Sequence, residues 1–182
     1  MVDKPGGRMI YSTGNSHLLS AVLTKVSGMS TFEFTRRYLA EPLGIPIRPW
    51  LRDPQGIYFG GNEMHLLPKA MLRIGELYRL GGRVGGEQIV SAAWVRESLV
   101  PRTWSRWSGR QYGYGWWIDT LGGHEAYFAY GHGGQFIFVV PDLRLTAVVT
   151  STATPVQERA DGRHHQWGIF ELLEEDLIPA FQ

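Results

Sequence analysis

The sequence predicts an α+β fold, and three observations carry that prediction. Residues 1–111 hold capped segments with helical apolar spacing. Residues 112–182 hold short aromatic or β-branched runs separated by Gly or Pro turns. The chain then closes on one more helical pattern. At 182 residues this is one domain or part of one. No internal repeat, low-complexity tract or linker divides it.

The elements follow in order. Residues 1–14 are Gly- and Pro-rich around Met9-Ile10-Tyr11 and read as a loop. Leu18, Leu19, Val22, Leu23 and Val26 recur at helical spacing from about Ser16, and Gly28 stops them. Ser30-Thr31-Phe32-Glu33 is a capping box that opens a second helix to about Ala40. Pro42, Gly44, Pro46, Pro49 and Pro54 mark irregular chain. Pro68 starts a helix with Met71, Leu72, Leu77, Tyr78 and Leu80 as its apolar face, ended by Gly81-Gly82. Ser91 caps a short helix through Leu99. Strands are expected at 114–119, 126–130, 135–140 and 145–151, with Pro141–Arg144 as a turn. Residues 167–181 form the last helix, lined by Trp167, Phe170, Leu173 and Leu177.

Composition excludes several functions. Eighteen Lys+Arg against seventeen Asp+Glu, with no block of like charge, argue against nucleic acid as the main partner. At 43% hydrophobic and 13% aromatic residues the chain can build a core. No apolar run approaches the ~18 residues of a membrane span. MVDKPGGRMIY lacks the apolar stretch of a signal peptide, and localisation stays open. Zero cysteines exclude disulfides, thiolate metal sites and Cys nucleophiles. No cofactor is expected. G-x-S-x-G is absent, His124-Glu125 lacks the second His of a zinc protease helix, and the glycine pairs lack a following Lys-Ser/Thr. His164 and His165 are adjacent and point to different sides of a helix, so they read as a solvated helix start.

Two segments carry a signal. Tyr11-Ser12-Thr13-Gly14-Asn15 runs directly into a helix. Tyr130-Gly131-His132-Gly133-Gly134-Gln135 runs into the apolar strand Phe136–Val140. Together they resemble the second and third motifs of the serine β-lactamase and penicillin-binding protein superfamily, in its class C-like branch. That branch includes esterases and 6-aminohexanoate-dimer hydrolases. Further landmarks stand in the family's order: Glu41–Ile45, Gly60-Gly61-Asn62, Gly81-Gly82-Arg83 with Ala92–Val95, Tyr112–Trp117 and Val139–Asp142. The resemblance covers about residues 5–180. It implies the C-terminal part of the β-lactamase/transpeptidase-like fold, with a mainly helical region over 1–111 and strands plus the final helix over 112–182.

The resemblance also implies roles. Tyr11 would take a proton from the nucleophile and pass it to the leaving group, which requires cations to depress a phenol near pKa ~10. The Gln135 backbone N–H would be an oxyanion donor, and His132 would stand where β-lactamases carry the lysine of Lys-Thr-Gly. Gly133 and Gly134 would let the strand edge approach substrate. Thr13 replaces the family's Asn, and Asn15 either substitutes for it or caps the helix. Gly61 and Trp107 are further candidates for substrate binding. Aromatic residues at 104–117 would divide between pocket wall and core, with Trp116 or Trp117 core and Trp104 and Trp107 rim. Asp119 and Glu125 are candidates to orient His132. Met64, Met71 and the helix leucines read as core.

One part of the family pattern is missing. The residues three before Lys4, Lys25 and Lys69 are Met1, Val22 and Leu66, so no Ser-x-x-Lys exists in these 182 residues. The expectation is therefore a fragment of a serine hydrolase whose nucleophile lies outside the chain. Its substrate would be a small ester, amide or peptide-like molecule. It would self-associate through an unpaired sheet edge near Thr146–Ser151. Two other readings stay open: an inactive family remnant that binds a ligand or partner, and an unrelated α+β protein.

Overall fold

The computed structural model describes residues 3–4, 6–151 and 165–182, with the backbone alone at 165–167. His164 and the side chains of His165 and Trp167 lie outside the described residues.

The helical region begins with α1, Thr13–Ser27, closed by Gly28 at φ 68°, whose N–H donates to the Thr24 carbonyl. It starts three residues before the apolar spacing does. Ser30 and Glu33 form both halves of the expected capping box on α2, Thr31–Thr35. A π-helical turn, Arg36–Ala40, and α3, Glu41–Leu43, extend α2 to the left-handed Gly44. Helix α4 spans Pro68–Arg79. The hairpin β1, Arg83–Val84, and β2, Glu87–Gln88, follows it. Helix α5, Ala92–Ser98, is capped by Ser91 Oγ, which accepts from the Trp94 N–H.

The rest is a six-stranded antiparallel meander in chain order: β3 (Thr103–Trp104), β4 (Gln111–Tyr112), β5 (Trp117–Leu121), β6 (His124–Gly131), β7 (Gln135–Val140) and β8 (Leu145–Val149). Helix α6, His165–Leu172, runs on through a π-helical turn to Leu177 and a 3₁₀ turn to Phe181. The expected strand at 114–119 begins later, at Trp117, because Gly115 sits at φ 87° and turns the chain first. Strands β1 to β4 are two residues each, too short for period-2 alternation to register.

The sheet is covered on both faces, which explains the unbroken buried run Phe136–Val140. On one face Trp117, Phe128, Phe136 and Phe138 pack with Ile169, Phe170 and Leu173 of the C-terminal helix. On the other, Ile137, Val139 and Trp116 meet Met71, Ile74 and Tyr78. Both Trp116 and Trp117 are core, where the sequence points to one of the two. Helix α4 reaches the sheet through Gly75, where an added Cβ would stand 2.6 Å from Thr146 Cγ2 and 2.7 Å from Ile137 Cγ2. Glu76, one residue on, accepts from Thr146 Oγ1 at 2.5 Å and from Arg79 at 2.6 and 2.7 Å.

Helix α1 corrects one expectation. Leu18, Leu19, Val22 and Val26 are not core; they are 56–75% exposed. The inward side of α1 carries Ser16, Ser20 and Thr24. Ser20 Oγ bonds the Tyr58 carbonyl and Thr31 Oγ1, each at 2.6 Å. The cause is a close approach: a Cβ on Gly60 would come within 2.1 Å of the Ser16 carbonyl oxygen, leaving no room for a leucine there. Met64, Leu72 and Leu80 are likewise 37–47% exposed, whereas Met71 packs against the sheet.

Candidate functional site

Tyr11 is held by the aromatic ladder of the sheet. Its ring stacks on Trp117 at 5.4 Å and meets Tyr112 edge-on at 5.9 Å. Met9, two residues earlier, packs on the same core cluster. Tyr11 is 58% exposed, yet partial burial of its phenol raises it above its ordinary pKa, and repulsion from a Tyr130 phenolate raises it further. Tyr112 is pushed up to about 12, first by burial and then by Tyr11. This direction is opposite to what a proton acceptor near neutral pH requires.

Thr13 is the first residue of α1. The loop at 60–62 lies on it: a Cβ at Gly61 would be 2.6 Å from Thr13 Cγ2 and 2.9 Å from the Thr13 carbonyl oxygen. Gly61 thus serves a close approach between two backbones, and also faces the cavity described below.

The Tyr130–Gln135 segment turns between β6 and β7. Gly131 pairs with Gln135 across His132, Gly133 and Gly134, and the two turn glycines take φ 77° and 88°. Only glycine adopts such angles at no steric cost. The Gln135 carboxamide does not point at the cavity alone: its Nε2 donates to the Ser151 carbonyl at 2.5 Å.

These segments meet at one cavity of about 1260 Å³. Tyr11, Thr13, Gly61, Asn62, Tyr130, His132 and Gln135 line it, with Leu39, Ile45, Ile47, Met71, Ile74 and Ile137 on its apolar walls. Among the described residues no Lys or Arg lines it, and Glu63 is the one carboxylate that does. Two histidines, His65 and His132, line it as well. Among the described residues no cluster of three His, Cys, Asp or Glu could hold a metal ion.

Other candidates lie elsewhere. Gly133 and Gly134 form the turn but do not line the cavity. Asn15 does not cap α1: the N-cap is Ser12, and the Asn15 N–H bonds the Ser12 carbonyl at 3.1 Å. It does not reach the cavity. Trp107 stands 99% exposed on the turn after β3, away from the cavity, and Trp104 is 57% exposed. Neither acid serves His132. Asp119 holds Arg110 Nε at 2.6 Å, and Glu125 accepts from the Tyr127 hydroxyl. Tyr130 is a lining residue that sequence reasoning passed over. Its signal was alternation with Phe128, which puts both rings on one face of β6.

The comparisons agree on the fold. A family model described as Beta-lactamase matches residues 1–169. Comparison with curated protein sequences returns no match. Among solved structures, a protein described as a 6-aminohexanoate-dimer hydrolase from Bacillus anthracis superposes with a TM-score of 0.77 at 19% identity. It covers 97% of this chain and 45% of its own. A β-lactamase from Mycobacterium bovis gives 0.69 at 19% identity, covering 96% and 66%. An octameric penicillin-binding protein homologue from Pyrococcus abyssi gives 0.64 at 22% identity, covering 79% and 38%. The chain thus spans about half the length, or less, of the first and third of these. With the motifs in order, the meander formed and the family model matching nearly the whole length, the chain belongs to the beta-lactamase family.

Proposed function

We propose that this chain is part of a class C-like, β-lactamase-related serine hydrolase that cleaves an ester or amide through an acyl-enzyme, with the serine supplied from outside these 182 residues. The observation that carries this reading is the convergence of Tyr11, Thr13, His132 and Gln135 on one cavity from two segments far apart in the sequence. The cavity exceeds the ~300–1,000 Å³ usual for a small ligand. Its walls belong to the core clusters, so it has room for a substrate and for the element bearing the serine.

In the proposed reaction the serine oxygen attacks the carbonyl carbon while its proton passes to Tyr11, held as the phenolate by a neighbouring cation. The oxyanion takes a hydrogen bond from the Gln135 N–H. Collapse of the tetrahedral intermediate breaks the bond to the leaving group, which receives the proton from Tyr11, and water then releases the acyl group by the same route. The raised phenol of Tyr11 makes a neighbouring cation necessary, and the lysine of Ser-x-x-Lys would supply it. His132 stands where β-lactamases carry the lysine of Lys-Thr-Gly, so the described lining offers no permanent cation at that position to grip a β-lactam carboxylate, which favours neutral esters and amides.

A fluorophosphonate probe tests this. A longer form carrying an upstream Ser-x-x-Lys should be labelled, and the 182-residue chain should not. Labelling of the 182-residue chain overturns the external nucleophile, and an unlabelled longer form overturns the hydrolase reading. The Thr13 and His132 departures, with the raised Tyr11 phenol, favour the second reading, a binding module without turnover. Saturable binding of an ester-like ligand by an unlabelled longer form would establish it.

A further inference from the structure

We infer that Ser151 is a positioning residue: together with the Gln135 side chain it forms a clasp that fixes the Gly131–Gln135 turn against the end of β8. The strand register leads to it. Phe136 pairs with Val149, and beyond that pair the β7–β8 ladder ends because Gly134 and Gly133 leave the sheet plane to make the turn. Among the described residues no strand backbone pairs with Ser151 there. The Gln135 carboxamide takes the strand's place: its Nε2 donates to the Ser151 carbonyl at 2.5 Å, and its Oε1 accepts from the Ser151 N–H at 3.3 Å. The hydroxyl returns the contact, with Ser151 Oγ donating to the Gly133 carbonyl and standing 3.3 Å from that of Gly134.

The turn needs such a restraint. Two glycines at positive φ carry the largest backbone freedom of any residue, and no side chain of their own holds them. An oxyanion donor acts only where it is preorganised. The clasp bonds both turn carbonyls and the side chain of the very residue whose N–H is the proposed donor. Its mechanical part stands on these hydrogen bonds; its catalytic part rests on the hydrolase reading above.

The test uses Ser151→Ala and Ser151→Thr. In the 182-residue chain, NMR order parameters of the Gly131–Gln135 amides should fall from the rigid range near ~0.85 toward ~0.6 or below in S151A, and return in S151T. Those of Ile137 and Phe138, further along β7, should not move, which separates a loosened turn from a loosened fold. In the longer, serine-bearing form, p-nitrophenyl ester turnover should lose about tenfold in kcat in S151A with KM unchanged, and recover in S151T. Unchanged order parameters overturn the clasp. A loosened turn with kcat unchanged overturns its catalytic part. No turnover by the parent enzyme overturns the hydrolase reading, while the order parameters still decide the clasp.

Discussion

The β7 strand and helix α1 aim their apolar side chains in opposite directions. On β7 every residue from Phe136 to Val140 is buried, because helices cover both faces of the sheet. On α1 the side turned inward carries serines and threonines, and Leu18, Leu19, Val22 and Val26 face out. The sheet is therefore held by apolar area and aromatic packing, and α1 by close backbone approach and hydroxyl hydrogen bonds. The same residue type has different worth in the two places, since burial and not hydrophobicity alone sets the free energy.

The largest expected effect lies in the sheet. Phe138 is 1% exposed and touches Phe128, Phe136 and Phe170 at centroid distances of 5.0–5.5 Å. Phe138→Ala should cost about 3–5 kcal/mol, the range for a buried aromatic that leaves a cavity. Denaturant titration followed by tryptophan fluorescence would measure it. A loss under about 1 kcal/mol would mean that the aromatic cluster does not dominate this half.

A smaller effect is expected where α4 meets the sheet. Hydrogen bonds from Arg79, and then from Thr146, hold the Glu76 carboxyl below its ordinary pKa despite the opposing effect of burial. A carboxyl whose folded pKa is depressed stabilises the fold above its unfolded pKa of about 4.5. That contribution fades as pH falls through the lower folded value. Glu76→Gln should cost about 1.5–3 kcal/mol at pH 7, the range for hydrogen bonds to a charged group. Thermal melts should converge with the parent as pH drops below about 4. Parallel pH profiles for the two proteins would refute the assignment.

The contrast also explains what could be read in advance. The meander, α4 and the capping box are legible because local pattern and tertiary burial agree there: Phe136–Val140 is apolar and buried, and Ser30 caps what Glu33 completes. The motif residues Tyr11, Thr13, His132 and Gln135 are legible as chemistry, and their convergence is a fact of topology. Helix α1 is legible as a helix but not in its orientation, because spacing reports that a stripe exists and not which side the chain approaches. Gly60 settles that, through a contact with Ser16 that is distant in sequence. Trp107 shows the converse failure: an aromatic residue in an Arg- and Ser-rich turn resembles a pocket wall, yet its ring stands in solvent.

The smallest effect on stability, with the clearest effect on behaviour, is expected on α1. Leu19 is 70% exposed, so Leu19→Ser removes little buried area and should change stability by less than about 0.5 kcal/mol. Its stripe nevertheless joins Leu18, Val22 and Val26 in an apolar surface, and among the described residues β8 pairs with β7 alone and leaves a sheet edge open. Both features should promote association between copies. Sedimentation velocity should show the 182-residue chain self-associating with rising concentration. Leu18→Ser with Leu19→Ser should reduce that association, and Thr150→Lys, at the exposed end of β8, should reduce it separately. If the α1 pair changes nothing while the edge lysine abolishes association, the open strand and not the helix stripe is the contact. If neither matters and the chain stays monomeric, the outward leucines are tolerated by solvent, and their orientation follows from the crowding at Gly60 alone.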